Sequence, residues 1–149
     1  MTVMTAAKKR TTILFVDDMK VRHTTFRKLV EDLTVVVISA WSCDQAIDMM
    51  KVAAFDVVLL DHDLNEDDIM IEPGAPTKTR SGMDIVRWMT DPNSLINRAT
   101  PIVVHTLNDP AGTAMVAALR DGGFQPTRAR ITQSSMIRSL IEQVIVRQR

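Results

Sequence analysis

The chain has 149 residues, and its 18 basic and 18 acidic side chains give a formal net charge of zero. A chain without excess positive charge is not built to neutralise many nucleic-acid phosphates, which excludes a broad nucleic-acid binder. Its 46% hydrophobic and 24% charged residues exclude a disordered or fibrous chain, and apolar runs such as Val35–Ile38 are far shorter than the roughly 20 residues that cross a membrane.

The first half of the chain alternates strand and helix patterns. Residues 1–10 have no apolar segment of the signal-peptide kind, so we expect a flexible tail there. Apolar periodicity and one capping pattern predict the elements that follow. These are a strand at Thr12–Val16, a helix at Val21–Leu33, a strand at Thr34–Ser39, a helix from a Ser42 cap to about Ala54, and a strand at Val57–Leu60.

The second half continues the alternation after a long polar segment. Residues 62–81 are acidic and contain two prolines, which predicts a loop. Capping residues and periodicity again predict the later elements. These are a helix at Gly82–Thr90, a strand at Pro101–Thr106, a helix from an Asp109 cap to about Arg120 that ends at Gly122-Gly123, a weak strand within Phe124–Ile131, and a helix capped by Ser134 or Ser135.

Strands that are apolar throughout and alternate with helices predict an α/β fold with a doubly wound parallel sheet. Five such units suit the flavodoxin-like strand order 2-1-3-4-5. About 150 residues is the usual size of one domain, so we expect a tail at residues 1–10 and a single domain at residues 11–149. The lone Cys43 permits no internal disulfide, which favours a cytoplasmic location.

Acidic side chains follow the first and third predicted strands. Asp17 and Asp18 follow the first, whereas Asp61 and Asp63 follow the third. The carboxyl ends of neighbouring parallel strands meet at one edge of the sheet, so we expect these carboxylates to converge. Close carboxylates repel one another unless a cation lies between them, and oxygen ligands suit Mg²⁺ or Mn²⁺. The alternative is that the first pair only caps a helix.

Polar residues near the third and fourth strands extend this candidate site. His62 in the acidic loop is either a functional imidazole or a surface residue, and His105 is either functional or a hydrogen-bonded core histidine. The Thr106 hydroxyl at the strand end suits contact with a phosphate. His23, on the first predicted helix, is expected to be exposed at the surface.

Three segments resemble the receiver domain of response regulators. They read ILFVDD at 13–18, VVLLDHDL at 57–64 and PIVVHT at 101–106. The resemblance implies that Asp17, Asp18 and Asp61 bind Mg²⁺. It also implies that Asp61 accepts a phosphoryl group, which Thr106 contacts.

Two features depart from that family. The Lys-Pro pair that receivers carry after the fifth strand is missing, and the segment there reads FQPTRARI. Arg128 or Arg130 is a candidate replacement for the lysine, although arginine differs from lysine in reach and geometry. The loop after Asp63 is also longer than in most receivers.

A narrower group accounts for these departures, because the chain is similar to the cyclic-phosphate-processing receiver domains in four separated motifs. These are Asp17-Asp18, Asp61-His62-Asp63, Ser81-Gly82-Met83-Asp84 and His105-Thr106-Leu107-Asn108. The resemblance implies a site that acts on a cyclic phosphate.

One functional hypothesis is a metal-dependent binder or phosphodiesterase for a cyclic nucleotide or an RNA 2′,3′-cyclic phosphate end. Asp18 and Asp61 would hold the ion, with Asp17 or Asp63 completing its ligands, and the ion would lower the pKa of a bound water. His62 or His105 would act as general acid or base, since imidazole titrates near neutral pH. Thr106, Asn108 and the helix amides after Asn108 would hold phosphate oxygens.

A second hypothesis is a stand-alone receiver that a histidine kinase phosphorylates on Asp61. Phosphorylation would then reshape the end of the fourth strand for a protein partner. A third is a receiver-derived interaction module that binds metal without chemistry. The first two hypotheses both predict metal binding, so turnover of a cyclic phosphate is what separates them.

Overall fold

A computed structural model describes residues 9–64 and 80–148. Most of the predicted tail and most of the predicted acidic loop lie outside these residues. Strands and helices alternate as predicted: β1 (Thr11–Val16), α1 (Lys20–Val30), β2 (Val35–Ala40), α2 (Cys43–Val52), β3 (Val57–Leu60), α3 (Gly82–Thr90), β4 (Ile102–Val104), α4 (Asp109–Asp121), β5 (Pro126–Arg128) and α5 (Ser134–Arg147).

The five strands form one parallel sheet in the order β2-β1-β3-β4-β5, which confirms the predicted doubly wound α/β fold. Val16, the last residue of β1, pairs with Leu60, the last residue of β3. Leu60 in turn pairs with Val104, the last residue of β4. The three central strands therefore end at the same level, and the residues that follow them meet at one edge.

Alternate residues of the strands face two separate apolar cores. Leu14, Val16 and Leu60 belong to the core beneath α2, α3 and α4. Phe15 and Leu59 belong to the opposite core, beneath α1 and α5. The strands are apolar at nearly every position because both faces are covered by helices. Among the described residues, no helix combines the length and apolar character that crossing a membrane requires.

Helix α1 differs from the prediction, because His23 lies inside and not at the surface. The side chain is 3% exposed, whereas the apolar Val21 is 60% exposed. His23 is accommodated because Nε2 donates to the Asp17 carbonyl over 2.7 Å and Nδ1 lies 2.9 Å from the Ser39 hydroxyl. Its ring also stacks on Trp41. Buried polar atoms are tolerated when they are hydrogen-bonded, which apolar periodicity does not reveal.

Two predicted helix caps also shift by one or two residues. The Ser42 cap is confirmed, but Asn108 caps α4 by accepting from the Ala111 amide, so the prediction of Asp109 was wrong. The reason is that the Asp109 carboxylate pairs instead with Arg128, at the end of β5, and with Arg130. Helix α5 begins at Ser134 after Gln133, with no side-chain cap, so neither predicted serine caps it.

Candidate metal centre

Three buried polar side chains meet where the central strands end. Asp17 follows β1, Asp61 follows β3 and His105 follows β4, so the sheet register carries all three to the same edge. One possible ligand atom from each lies within 4.8 Å of the others. Each residue is at most 1% exposed. The predicted convergence of strand-end acids therefore holds for Asp17 and Asp61, and His105 joins them.

The two carboxylates lie in surroundings that disfavour their negative charge. Burial raises the pKa of Asp17 to about 7, and the charge of Asp61 adds to this, although the Met19 amide and Arg22 oppose it. Burial also raises the pKa of Asp61, against the opposing effects of the His62 amide and Arg22. Both carboxylates would ionise more readily with a cation between them.

Arg22 is a residue of this site that the sequence analysis did not identify. Its guanidinium lies 3.4 Å from Asp17 Oδ2 and 3.3 Å from Asp61 Oδ2. The Arg22 side chain is 22% exposed, so it reaches the buried carboxylates from the solvent side of the site. Its place in the first turn of α1, four residues after Asp18, was the available signal. Arg22 is the cation that contacts both buried carboxylates in the described part of the chain.

His105 is at once a core histidine and a member of the cluster. Its Nε2 donates to the Val16 carbonyl over 3.1 Å, and its ring stacks on Phe15. Its Nδ1 lies 3.7 Å from Asp17 Oδ2. Burial lowers the pKa of His105 to about 3, so the imidazole is neutral near neutral pH. His105 is therefore the hydrogen-bonded core histidine that the sequence allowed, and it also lies beside the two carboxylates.

The other predicted metal and acid–base residues lie around this cluster. His62 Nδ1 is 2.8 Å from Asp63 Oδ1, and their side chains are 24% and 57% exposed. Asp18 is partly buried, and its charge raises the pKa of Asp61, which places it close to that carboxylate. His62, Asp63 and Asp18 thus lie outside the cluster of three and nearer to solvent.

Thr106 and Asn108 connect Asp61 to the start of α4. The buried Thr106 hydroxyl bonds to the Asp61 carboxylate, which favours its ionised form. Thr106 Oγ1 also accepts from the Asn108 amide over 3.2 Å. The Asn108 side chain caps α4. Thr106 therefore lies against Asp61, the residue that the resemblance to receivers implies as the phosphoryl acceptor.

Arg128, the last residue of β5, and Arg130 pair with groups other than Asp61. Arg128 donates to the backbone carbonyls of Val104 and Thr106 and pairs with Asp109. Arg130 pairs with Asp109 as well. The contacts that the structure describes do not support either arginine as the replacement for the receiver lysine. Arg128 instead ties β5 to the β4–α4 connection.

Replacing Arg128 with Lys is expected to lower the free energy of unfolding by about 1–3 kcal/mol. The single nitrogen of an ammonium cannot take the places of the two guanidinium nitrogens that donate to Val104, Thr106 and Asp109. Urea unfolding monitored by circular dichroism measures the loss. Arg130→Lys is the matched control, with a change within about 0.5 kcal/mol because its side chain is 45% exposed. Equal losses in the two variants would refute the structural role of Arg128.

The Ser81-Gly82-Met83-Asp84 motif positions the loop that carries Asp61. Ser81 and Asp84 form a reciprocal capping box at the start of α3. The Gly82 amide donates to the His62 carbonyl over 2.8 Å. A Cβ at Gly82 would lie within 3.0 Å of the Asp61 carbonyl group and of the His62 Cα. The motif thus holds the backbone of Asp61 and His62 in place, because Gly82 packs directly against it.

Solved structures that resemble the chain include receiver domains. The signal receiver domain of an HD domain-containing protein from Pseudomonas fluorescens Pf-5 has a TM-score of 0.68 at 16% identity, covering 99% of this chain and 95% of that one. The chemotaxis response regulator CheY4 of Vibrio cholerae has a TM-score of 0.65 at 18% identity, covering 91% and 99%. At such identities the likeness shows the fold alone. The search of curated proteins found no match.

A family comparison is more specific. The family described as "Cyclic-phosphate processing Receiver domain" matches residues 12–121, which cover most of the chain and include Asp17, Asp61, the Ser81–Asp84 motif, His105 and Asn108. The match agrees with the fold and with the acidic cluster at the strand ends. The chain belongs to the family of cyclic-phosphate-processing receiver domains.

Proposed function

We propose that this receiver domain holds a divalent ion at Asp17 and Asp61 and acts on a cyclic phosphate, either a cyclic nucleotide or an RNA 2′,3′-cyclic phosphate end. The observation that carries the metal site is the pair of buried carboxylates with a buried histidine nitrogen beside them. The family match is what points to a cyclic phosphate as the substrate.

The donor atoms suit a divalent ion. Carboxylate oxygens and a neutral imidazole nitrogen are ordinary ligands for such ions. Burial, with the charge of Asp61, raises the pKa of Asp17, and a bound cation would oppose that rise. Asp18 and Asp63, nearer to solvent, are the proposed further ligands, directly or through water. When bound, the ion would polarise a phosphoryl oxygen and lower the pKa of a water ligand.

Arg22 has a proposed second role once an ion neutralises the two carboxylates. Its guanidinium is then released to contact phosphate oxygens, which is the role of the lysine in receivers. Guanidinium groups bind phosphate well through paired hydrogen bonds. The sequence contains no lysine after Lys78, so Arg22 is the proposed substitute. Thr106 and Asn108 are proposed to orient the same phosphate from the β4 side.

His62 is the proposed proton-transfer group. Asp63 accepts a hydrogen bond from its Nδ1, which places the lone pair on Nε2, the nitrogen that would take a proton from the attacking water. Water adds to phosphorus, the bond from phosphorus to one sugar oxygen breaks, and His62 returns the proton to that oxygen. His105 suits this role less well, because it is 1% exposed and its pKa is far below neutral.

The test is turnover of a panel of 2′,3′-cyclic and 3′,5′-cyclic nucleotides with Mg²⁺ or Mn²⁺, with the phosphomonoester product followed by chromatography. We expect His62→Gln to lower kcat about 100-fold or more, and Arg22→Gln mainly to raise KM, about tenfold. Lys20→Gln, which removes an exposed charge from the same helix, is the matched control and should change neither. Wild-type protein that converts none of these substrates contradicts the proposal.

The alternative of phosphorylation on Asp61 is favoured by one observation. The Asp61 carboxylate contacts both Thr106 and Arg22, as a phosphoacceptor with a hydroxyl and a cation nearby would. Incubation with acetyl phosphate and Mg²⁺ tests it. Base-labile labelling that is lost in Asp61→Asn, together with no cyclic-nucleotide turnover, would replace the enzymatic proposal with a phosphorylated switch.

A further inference from the structure

We propose that His105 Nδ1 is a direct ligand of the ion, so that the site prefers transition ions such as Zn²⁺, Co²⁺, Ni²⁺ and Mn²⁺ over Mg²⁺. This inference rests on the metal site of the proposed function and specifies which ion that site takes. The receiver resemblance alone implies a site made of oxygen ligands for Mg²⁺. The histidine changes the chemistry of the donor set.

One ring nitrogen of His105 has no hydrogen-bond partner among the described residues. His105 Nδ1 is fully buried, and no atom of the described residues forms a hydrogen bond with it. Buried polar atoms in folded proteins nearly always have a partner, because an unsatisfied one costs roughly 1–3 kcal/mol. The orphaned atom is aimed at the acidic cluster and not at an apolar wall. A ligand between Nδ1 and Asp17 would satisfy it.

The hydrogen bond to Val16 fixes the tautomer of the His105 imidazole. A carbonyl oxygen only accepts, so the bond to Val16 places the imidazole hydrogen on Nε2 and the lone pair on Nδ1. Metal-ligating histidines commonly donate their other ring nitrogen to a backbone carbonyl, which fixes the ring and its lone pair. His105 is held in that arrangement before any ion binds.

His105 Nδ1 and Asp17 Oδ2 face each other across a gap. Nδ1 and Asp17 Oδ2 lie 3.7 Å apart, which exceeds the length of a hydrogen bond. When Asp17 is ionised, its carboxylate and the Nδ1 lone pair are both acceptors, so they repel each other unless a proton or a cation lies between them. Two ligands of one ion, each bonded at about 2.1 Å, lie roughly 3.0–3.5 Å apart, so a small shift would close the gap onto an ion.

His23 shows what a purely structural histidine looks like in this fold. It is also buried, but both of its ring nitrogens have partners, in the Asp17 carbonyl and the Ser39 hydroxyl. His105 has a partner at one nitrogen only. The contrast makes His23 the matched control for His105.

The chemistry of the donor set gives the selectivity. Mg²⁺ binds oxygen ligands and keeps much of its water, whereas imidazole suits Zn²⁺, Ni²⁺ and related ions. Two carboxylates and one imidazole therefore favour a transition ion over Mg²⁺.

The test measures the affinity of the full chain for Zn²⁺, Co²⁺, Mn²⁺ and Mg²⁺ by isothermal titration calorimetry. We expect His105→Gln, whose amide is able to donate to Val16 as Nε2 does, to weaken Zn²⁺ and Co²⁺ binding at least 100-fold and Mg²⁺ binding less than threefold. His23→Gln should keep the wild-type order of affinities. A His105→Gln variant that retains the wild-type preference for Zn²⁺ would overturn the inference.

A spectroscopic measurement avoids dependence on how well a core variant folds. Electron spin-echo envelope modulation of Mn²⁺ bound to the wild-type chain should show coupling to an imidazole nitrogen, retained in His23→Gln and lost in His105→Gln. Bound Mn²⁺ without nitrogen coupling contradicts the role of His105 while leaving the metal site intact. If Mn²⁺, Zn²⁺ and Mg²⁺ all fail to bind, the proposed metal site fails together with the inference.

Discussion

Asp17→Asn is expected to raise the melting temperature of the metal-free protein and to abolish its response to divalent ions. The substitution removes one of two buried carboxylates that repel each other. The amide oxygen is able to keep the hydrogen bond from Met19, and the amide nitrogen would face His105 Nδ1 as a donor. A gain of about 1–2 kcal/mol corresponds to a few degrees in a chain of this size.

Thermal unfolding with excess chelator and with Mn²⁺ checks this expectation. Wild type should be less stable than Asp17→Asn in chelator and should gain stability with Mn²⁺, as a ligand that binds only the folded state requires. Asp48→Asn, at an exposed position of α2, is the control and should follow wild type in both conditions. A variant that is less stable than wild type in chelator would contradict the described electrostatics of Asp17.

Gly82→Ala is expected to produce the largest loss of stability among the single substitutions considered, about 3 kcal/mol or more. The added methyl group would overlap the Asp61 carbonyl and the His62 Cα, which are backbone atoms that cannot rotate away. Helix α3 would have to move off β3, and the capping box at Ser81 would be displaced with it.

Urea unfolding measures that loss, and it should be accompanied by weaker metal binding, since Asp61 is carried by the displaced backbone. Arg87→Ala, on an exposed face of the same helix, is the control and should change stability by no more than about 0.5 kcal/mol. If Gly82→Ala is as stable as Arg87→Ala, that result would contradict the close contact between Gly82 and the backbone of Asp61 and His62.

Periodicity predicted the fold well because both layers of helices impose it on the sequence. The apolar strands and the order of the sheet follow from burial on two faces, so the sequence alone was sufficient to predict them. The placement of Asp17 and Asp61 at one edge followed from the same topology.

Interactions between distant residues account for what the sequence did not reveal. His23 is buried because Asp17 and Ser39 satisfy its nitrogens, and helical periodicity carries no sign of those partners. Asn108 and Asp109 are both good caps, and the choice between them depends on arginines about 20 residues away. Each needs three-dimensional contacts to be seen.

The cluster itself shows the same limit. The sequence placed His105 near the acids but did not indicate which of its nitrogens faces them, because that depends on the bond to the Val16 carbonyl. The sequence also did not identify Arg22 as a residue of the site. Arg22 contacts both carboxylates only because α1 packs against the sheet.

Asp17, Asp61 and His105 are proposed to form one metal site. A crystal structure of the chain grown with Mn²⁺ or Zn²⁺, with anomalous scattering measured at the metal edge, tests this proposal. We predict one anomalous peak within bonding distance of both carboxylates and of His105 Nδ1, with Arg22 displaced from them. No peak at the strand ends, with Arg22 still between the two carboxylates at a saturating metal concentration, would contradict it.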